Sequence, residues 1–291
     1  MSWIAFSVDV EEWFHILDTD RSPPRSEWDR QPNHVEANTR RLLDLLDRAE
    51  VPGTFFTLGW VAERYPDLVR EIARRGHEVA SHGHEHKLVY RVGRSAFRED
   101  AMRSKSTLED VIGEEVMGFR AAGFSITKDT PWAFEELASL GYRYDSSVFP
   151  ARRGHGGLRG APSAPHRICA GGSELLIEFP VAPLQVGPFA IPFSGGGYLR
   201  LYPVPVIRWC LKRLLASGIA ANLYIHPREV DPSHPRLPLP PFRRFKTYVN
   251  LGRGERKVAA LLQSFPKASF RRLRDALRDL EGCNRIERVV L

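Results

Sequence analysis

The sequence predicts an α/β fold with a parallel sheet, on three observations. Short β-rich runs alternate with helical patterns along most of the 291 residues. Asp9, His82, Arg120, Asp145 and His226 each fall at or near the end of an apolar or aromatic run. No repeat of fixed period and no low-complexity tract interrupts the alternation. In parallel sheets and barrels the C-terminal strand ends lie on one side, where active sites are built, so five polar residues distant in sequence would converge there.

Strands are expected at "WIAFSVD" (Trp3 to Asp9), "GTFFTLG" (Gly53 to Gly59), "HEVASH" (His77 to His82), "EVMGFR" (Glu115 to Arg120), "YRYDSS" (Tyr142 to Ser147), "LLIEFP" (Leu175 to Pro180) and "ANLYIH" (Ala221 to His226). Between them, "VEANTRRLLDLLDRAE" carries Leu42, Leu43, Leu45 and Leu46 on a helical stripe. "PDLVREIARRG" and "PWAFEELASLG" each open on proline and close on glycine, as helices do. Arg152 to Gly172 and the proline-rich Pro227 to Pro241 read as long loops, which in compact domains are often functional.

Composition excludes several classes. A hydrophobic content of 43% with 26% charged residues is that of an ordinary globular chain long enough to bury a core. The net charge of +7 permits an anionic partner without demanding one, and no nucleic-acid-binding motif accompanies it. Cys169, Cys210 and Cys283 are odd in number and widely spaced, which fits neither a disulfide framework nor a thiolate zinc site. The apolar run at the N-terminus meets acid at Asp9 and lacks a basic flank, so neither a signal peptide nor a membrane span is expected. These features set the expectation of a soluble, cytoplasmic protein.

In "SVDVEEWFH", Asp9 and Glu11 share a face if the strand continues, while Glu12 points away. Two carboxylates so placed can divide the holding of a metal from the moving of a proton, although acids also follow strands simply because loops are exposed. In "SHGHEHKL" a helical reading puts His82 and His86 on one face, and an extended reading adds His84. Gly83 marks a turn that ends the alternation at His82 and favours the His82–His86 pair, with His84 pointing elsewhere; a surface loop merely rich in histidine is the alternative. Two histidines with one carboxylate suit zinc first, with cobalt, manganese or ferrous iron as alternatives. Arg120 can pair with a carboxylate such as Asp9. His226, held at a strand end by Pro227, can protonate a leaving group or be an ordinary core histidine. Tyr198 in "FSGGGYLRL" and Trp13 in "EEWFH" are candidate sugar contacts, against core packing as the alternative.

In this order the motifs resemble those of the polysaccharide deacetylases, the metal-dependent carbohydrate esterases with a NodB homology domain. The acidic pair Asp9 and Glu11, the pair His82 and His86, the Arg120 loop, the Asp145 region "YDSS" and the "LYIH" run ending at His226 carry the likeness. "SGGGYLRL" and "FKTYVNLGR" further resemble the branch associated with exopolysaccharide and exosortase gene clusters. The resemblance implies a distorted (β/α) barrel of about seven parallel strands, with a catalytic region at 1–230 and an extension at 231–291 packed on it. It implies hydrolysis of N-acetyl groups on a glycan in exopolysaccharide biosynthesis, with association with membrane-bound synthesis machinery allowed and no nucleic-acid partner.

By the same resemblance Glu11, or else Glu12, would hold the metal with His82 and His86. Asp9 would be the base, Arg120 its orienting partner and His226 the acid, with Asp145 holding a basic group in position. Gly83 stands where the family has Ser or Thr, which removes a hydroxyl that braces the loop. Ala121-Ala122-Gly123 stands where a proline is usual, which loosens the arginine loop. Hydrolysis of a small ureide or cyclic imide, and a non-catalytic glycan-binding protein of the same fold, are the competing expectations.

Overall fold

The computed structural model describes all residues except 1, 18, 152–155, 283–285 and 291, so Cys283 lies outside the described residues. Strands β1 (Ile4–Val10), β2 (Thr54–Thr57), β3 (Glu78–Ser81), β4 (Gly118–Phe119) and β5 (Tyr144–Asp145) come first. They are followed by β6 (His166–Ala170), β7 (Ser173–Glu178), the hairpin β8 (Leu184–Val186) and β9 (Phe189–Ile191), β10 (Ala221–Ile225) and β11 (Arg288–Val290). The main sheet runs in the order β10-β1-β2-β3-β4-β5-β7-β6-β11. From β10 to β7 every pairing is parallel, which gives the seven parallel strands of a distorted (β/α) barrel. The edge facing β10 is bridged by Gly195 and Tyr224, where the Tyr224 N–H donates to Ser194.

All seven expected strands are present, several of them shorter. The stretch 152–172 is not wholly loop: β6 lies within it and pairs antiparallel with β7 through a bulge at Ile168 and Cys169. Its composition, Gly, Pro and Arg, hid a five-residue strand whose burial alternates too weakly to read. The helix Arg94–Ile112 also escapes sequence reading, because only Phe97, Ala101, Ser104 and Leu108 of its nineteen residues are buried. Leu42, Leu43, Leu45 and Leu46 lie buried on Val35–Ala49, each contributing roughly 1.5–3 kcal/mol of burial.

The period of two along β1 sorts its side chains. Ile4, Phe6, Val8 and Val10 pack outward into the large core beneath the helices. Ala5, Ser7 and Asp9 face inward. Below them Ala5, Phe56, Ala80, Tyr144, Ile177 and Phe179 form a second cluster that receives Leu273, Ala276, Leu277 and Leu280 of the helix Leu273–Glu281. The start of that helix is bonded to barrel residues, its Leu273 and Arg274 N–H groups donating to Thr54 Oγ1 at 3.0 Å and Glu78 Oε2 at 3.0 Å. Segment 231–291 thus supplies a floor to the barrel and, through β11, an edge strand.

Candidate active site

Arg120 stands at the centre of the barrel, wholly buried. Its Nη1 donates to Asp9 Oδ1 at 2.6 Å and Ser7 Oγ at 3.0 Å, and Nε and Nη2 donate to the Ser146 carbonyl and hydroxyl. Its carbon Cζ lies 4.0 Å from the centre of the Phe56 ring, which supplies a cation–π face from below. Asn222 joins the ring from β10, accepting from Ser7 and donating to Ser146. A buried guanidinium is tolerable only when paired and saturated with acceptors, and these partners come from four separate strands or strand ends.

Above this layer lie Glu11, His82 and His86. Their candidate ligand atoms fall within 4.8 Å of one another, and all three residues are buried. His82 donates from Nδ1 to the Arg120 carbonyl at 2.8 Å, which leaves the Nε2 lone pair for a ligand. Burial pushes the His82 imidazole down to about 4, so it is neutral at physiological pH, the form that binds metal. Glu11 Oε2 lies 2.6 Å from His86 Nε2. Burial would raise the Glu11 carboxyl, but His86, His226 and Arg228 outweigh it and hold the group well below the usual range. Two imidazoles and one carboxylate converging in a buried corner suit a divalent cation of the zinc type. Glu12 is engaged elsewhere: its Oε1 accepts the N–H groups of His34 and Val35 at the start of helix Val35–Ala49.

The loop that carries the histidines is not helical. Gly83 has φ 77° and His86 φ 52°, so two left-handed residues rather than a helical turn bring His86 back beside His82. A Cβ at Gly83 would meet Asp100 Oδ2 at 2.9 Å. That carboxylate, from the long helix missed in sequence, accepts the N–H groups of His84 and Glu85, while Ser104 on the same face donates to the Gly83 carbonyl. Asp100 and Ser104 stand four residues apart, a polar i,i+4 pair on an inward face that was the available signal. They brace the loop that lacks a hydroxyl at 83. His84 turns away, packed on Gly59 with Nε2 3.5 Å from Glu63.

His226 closes the site from β10, with Nε2 3.9 Å from Asp9 Oδ2 and 3.6 Å from Glu11 Oε1. Its Nδ1 is 2.7 Å from Glu229 Oε1, and Glu229 Oε2 accepts from Arg200 Nε at 2.9 Å. Sequence reading missed Glu229, although its position three residues after His226 in a short turn was the clue. Burial opposes ionisation of Glu229, but Arg200, His226 and Arg228 hold it down to about 2. Its stabilising contribution is therefore complete above the ordinary value of 4.5 and is lost as pH falls towards 2. Denaturation of wild type and E229Q should show a stability gap near neutral pH that narrows across that window; a constant gap would contradict the pairing.

Three expected residues sit elsewhere. The carboxylate of Asp145 accepts from the N–H and hydroxyl of Ser147, whose Oγ in turn accepts from Ala121 N at 2.7 Å. It steadies the arginine loop rather than a basic group, and it lies beside Glu178, whose carboxyl is pushed well up by burial and by Asp145 itself. Trp13 is a core residue, 5% exposed, with its indole N–H donating to Pro32 O and its ring stacked on His234. Tyr198 lies not in a flexible loop but in the helix Gly196–Leu201, stacked on Tyr202. The glycine that approaches the site is Gly196, with φ 48°, where a Cβ would lie 3.3 Å from Glu229 Oε1 and 3.7 Å from His226 Cε1. His15, the last residue of "EEWFH", accepts the Glu12 N–H at Nδ1, so its Nε2 keeps the proton as a buried donor 5.5 Å, ring to ring, from His86.

Comparison with known proteins gives the arrangement a context. The family model described as polysaccharide deacetylase matches residues 25–144, and one described as a domain of unknown function (DUF3473) matches residues 146–278. Over 99 residues the chain is 29% identical to a peptidoglycan-N-acetylglucosamine deacetylase of Bacillus cereus, covering 34% of this chain and 36% of the relative. Over 122 residues it is 30% identical to a chitooligosaccharide deacetylase of Sinorhizobium fredii, covering 39% and 56%. The chain thus spans little more than half, at most, of the length of these curated relatives. A solved Mycobacterium smegmatis structure, put forward as a polysaccharide deacetylase, superposes with a TM-score of 0.65 at 22% identity over 99% of this chain and 93% of that one. That likeness shows the shared fold.

Proposed function

Since the chain belongs to the polysaccharide deacetylase family, we propose that it hydrolyses N-acetyl groups of a glycan, releasing acetate and a free amino sugar. The observation that carries this reading is the meeting of Glu11, His82 and His86 beside the buried Asp9–Arg120 pair. Glu11, His82 and His86 would hold a divalent ion, zinc first; when bound, such an ion supplies Lewis acidity towards an acyl oxygen and acidifies water.

The remaining work falls to the chain's own groups. Arg120 fixes the Asp9 carboxylate at Oδ1 and leaves Oδ2 towards the cavity, 3.9 Å from His226 Nε2. Asp9 takes a proton from water as the water oxygen bonds to the acyl carbon. As the C–N bond breaks, protonated His226 gives its Nε2 proton to the departing nitrogen. Glu229 accepts from Nδ1–H and thereby keeps Nε2 facing the reaction. His15 Nε2–H, a buried donor without a partner whose ring lies 5.5 Å from that of His86, would be a further group to steady charge developing on the acyl oxygen. Polymers of the exopolysaccharide type are the proposed substrates, on the strength of the motif resemblance alone. Among the described residues no helix is long and apolar enough to cross a membrane.

The test pairs metal analysis with acetate release from defined N-acetylglucosamine oligomers. Wild type should carry one divalent ion and release acetate. Glu11→Gln should lose both, by more than the roughly 10–100-fold that loss of an outer partner costs. An ion bound without acetate release from any N-acetylated glycan, with hydrolysis of a ureide instead, would overturn the substrate class.

A further inference from the structure

The chain's positive charge is strongly segregated. Residues 179–254 contain ten Lys and Arg but only two acids, Glu229 and Asp231, and both acids are buried. That segment carries +8 of a chain whose total is +7, so everything outside it sums to −1. Within it the helix Pro241–Tyr248, "PFRRFKTY", has no acid and only Tyr248 buried. Phe242 and Phe245, three residues apart on one side of the helix, are 70% and 55% exposed. Lys246 lies over the Phe242 ring. The preceding helices, Gly196–Leu201 and Val204–Ala216, expose Leu201, Val206 and Trp209 beside Arg208, Lys212 and Arg213.

Two exposed phenylalanines in a setting of Arg and Lys, with no acid in the helix, match an anionic bilayer surface, where rings enter the acyl boundary and cations meet headgroups. A protein partner or a second copy would need acidic groups in register with these cations, and the exposed acids of this chain are scattered among its own arginines. The helix is also tied to a support of the site, its Lys246 carbonyl accepting from Arg200 Nη2 while Arg200 Nε donates to Glu229. Arg243 donates to the Leu17 carbonyl in the loop that follows β1, and a groove of about 790 Å³ lined by Asp20, Arg21, Arg91, Leu239 and Arg243 lies there, its one acid, Asp20, paired with Arg21.

We propose that the helix Pro241–Tyr248 docks the protein on an anionic lipid surface, with Phe242 and Phe245 inserted. Docking at this helix bears on the deacetylase reading only through the accessibility of lipid-attached glycan. The test is sedimentation of the full chain with phosphatidylcholine vesicles, with and without phosphatidylglycerol.

Retention is expected on the mixed vesicles and release by high salt. F242S/F245S should bind at least about tenfold more weakly, with an unchanged circular dichroism spectrum. R244E/K246E should lose the preference for anionic lipid. No retention of wild type on either vesicle, or equal retention by F242S/F245S, overturns the proposal. So does a concentration-dependent dimer that F242S/F245S abolishes without any vesicle binding. Acetate release from a water-soluble oligomer should be the same in wild type and F242S/F245S, so failure of docking and failure of the deacetylase reading are separate results.

Discussion

Replacing Arg120 by leucine should destabilise the protein by about 3–5 kcal/mol and abolish acetate release. The loss comes less from the missing bonds than from what remains. Asp9, 3% exposed, would keep a buried carboxylate without its 2.6 Å partner, and Ser146 O would lose a donor. Denaturant unfolding measures the first effect, and the second variant separates the causes. Adding Asp9→Asn to Arg120→Leu removes the stranded charge and should restore part of the stability while restoring no activity. If Arg120→Leu unfolds at the wild-type midpoint, the pair is not the brace described here.

Asp9→Asn alone should lower kcat by about 10²–10⁴, the range for removal of a general base. Asparagine fits the same space and can still accept from Arg120 through its carbonyl oxygen, so the barrel should hold and metal content should stay that of wild type. Measuring bound metal beside kcat distinguishes this variant from Glu11→Gln, in which both fall. Activity within tenfold of wild type would remove Asp9 from the role of base.

Much of this site was legible in sequence because its residues end strands, and strand ends follow from apolar runs. Asp9, Glu11, His82, Arg120 and His226 are placed by period-two alternation and by glycine or proline after the strand, signals within a few residues of each group. The supports were not legible for a physical reason: Asp100, Ser104, Glu229 and Arg200 act through bonds to residues 15 to 29 positions away or across a turn, and their own neighbourhoods read as ordinary helix or loop. Aromatic candidates fared differently. Trp13 and Tyr198 have the composition of a sugar platform, but packing decides whether a ring faces ligand or core: Trp13 is buried against His234, while Tyr198 is half-buried beside Tyr202. The spacing of His82 and His86 suggested a helical face, whereas two left-handed residues produce the same convergence.

The helix Leu273–Glu281 has a consequence for where this molecule can be divided. The junction between the two matched families, at residue 145, falls inside β5, and the floor of the barrel is made by residues nearly at the other end of the chain. Thr54 and Glu78, in the earlier family's half, hold that helix through its first N–H groups. A chain cut before 231 would leave Ala5, Phe56, Ala80 and Phe179 open to water and would take the Arg274 N–H from the buried Glu78 carboxyl, and would be expected to aggregate or melt rather than persist as a smaller protein. Boundaries of sequence families and boundaries of cooperative unfolding need not coincide, and in this protein a single transition should span both.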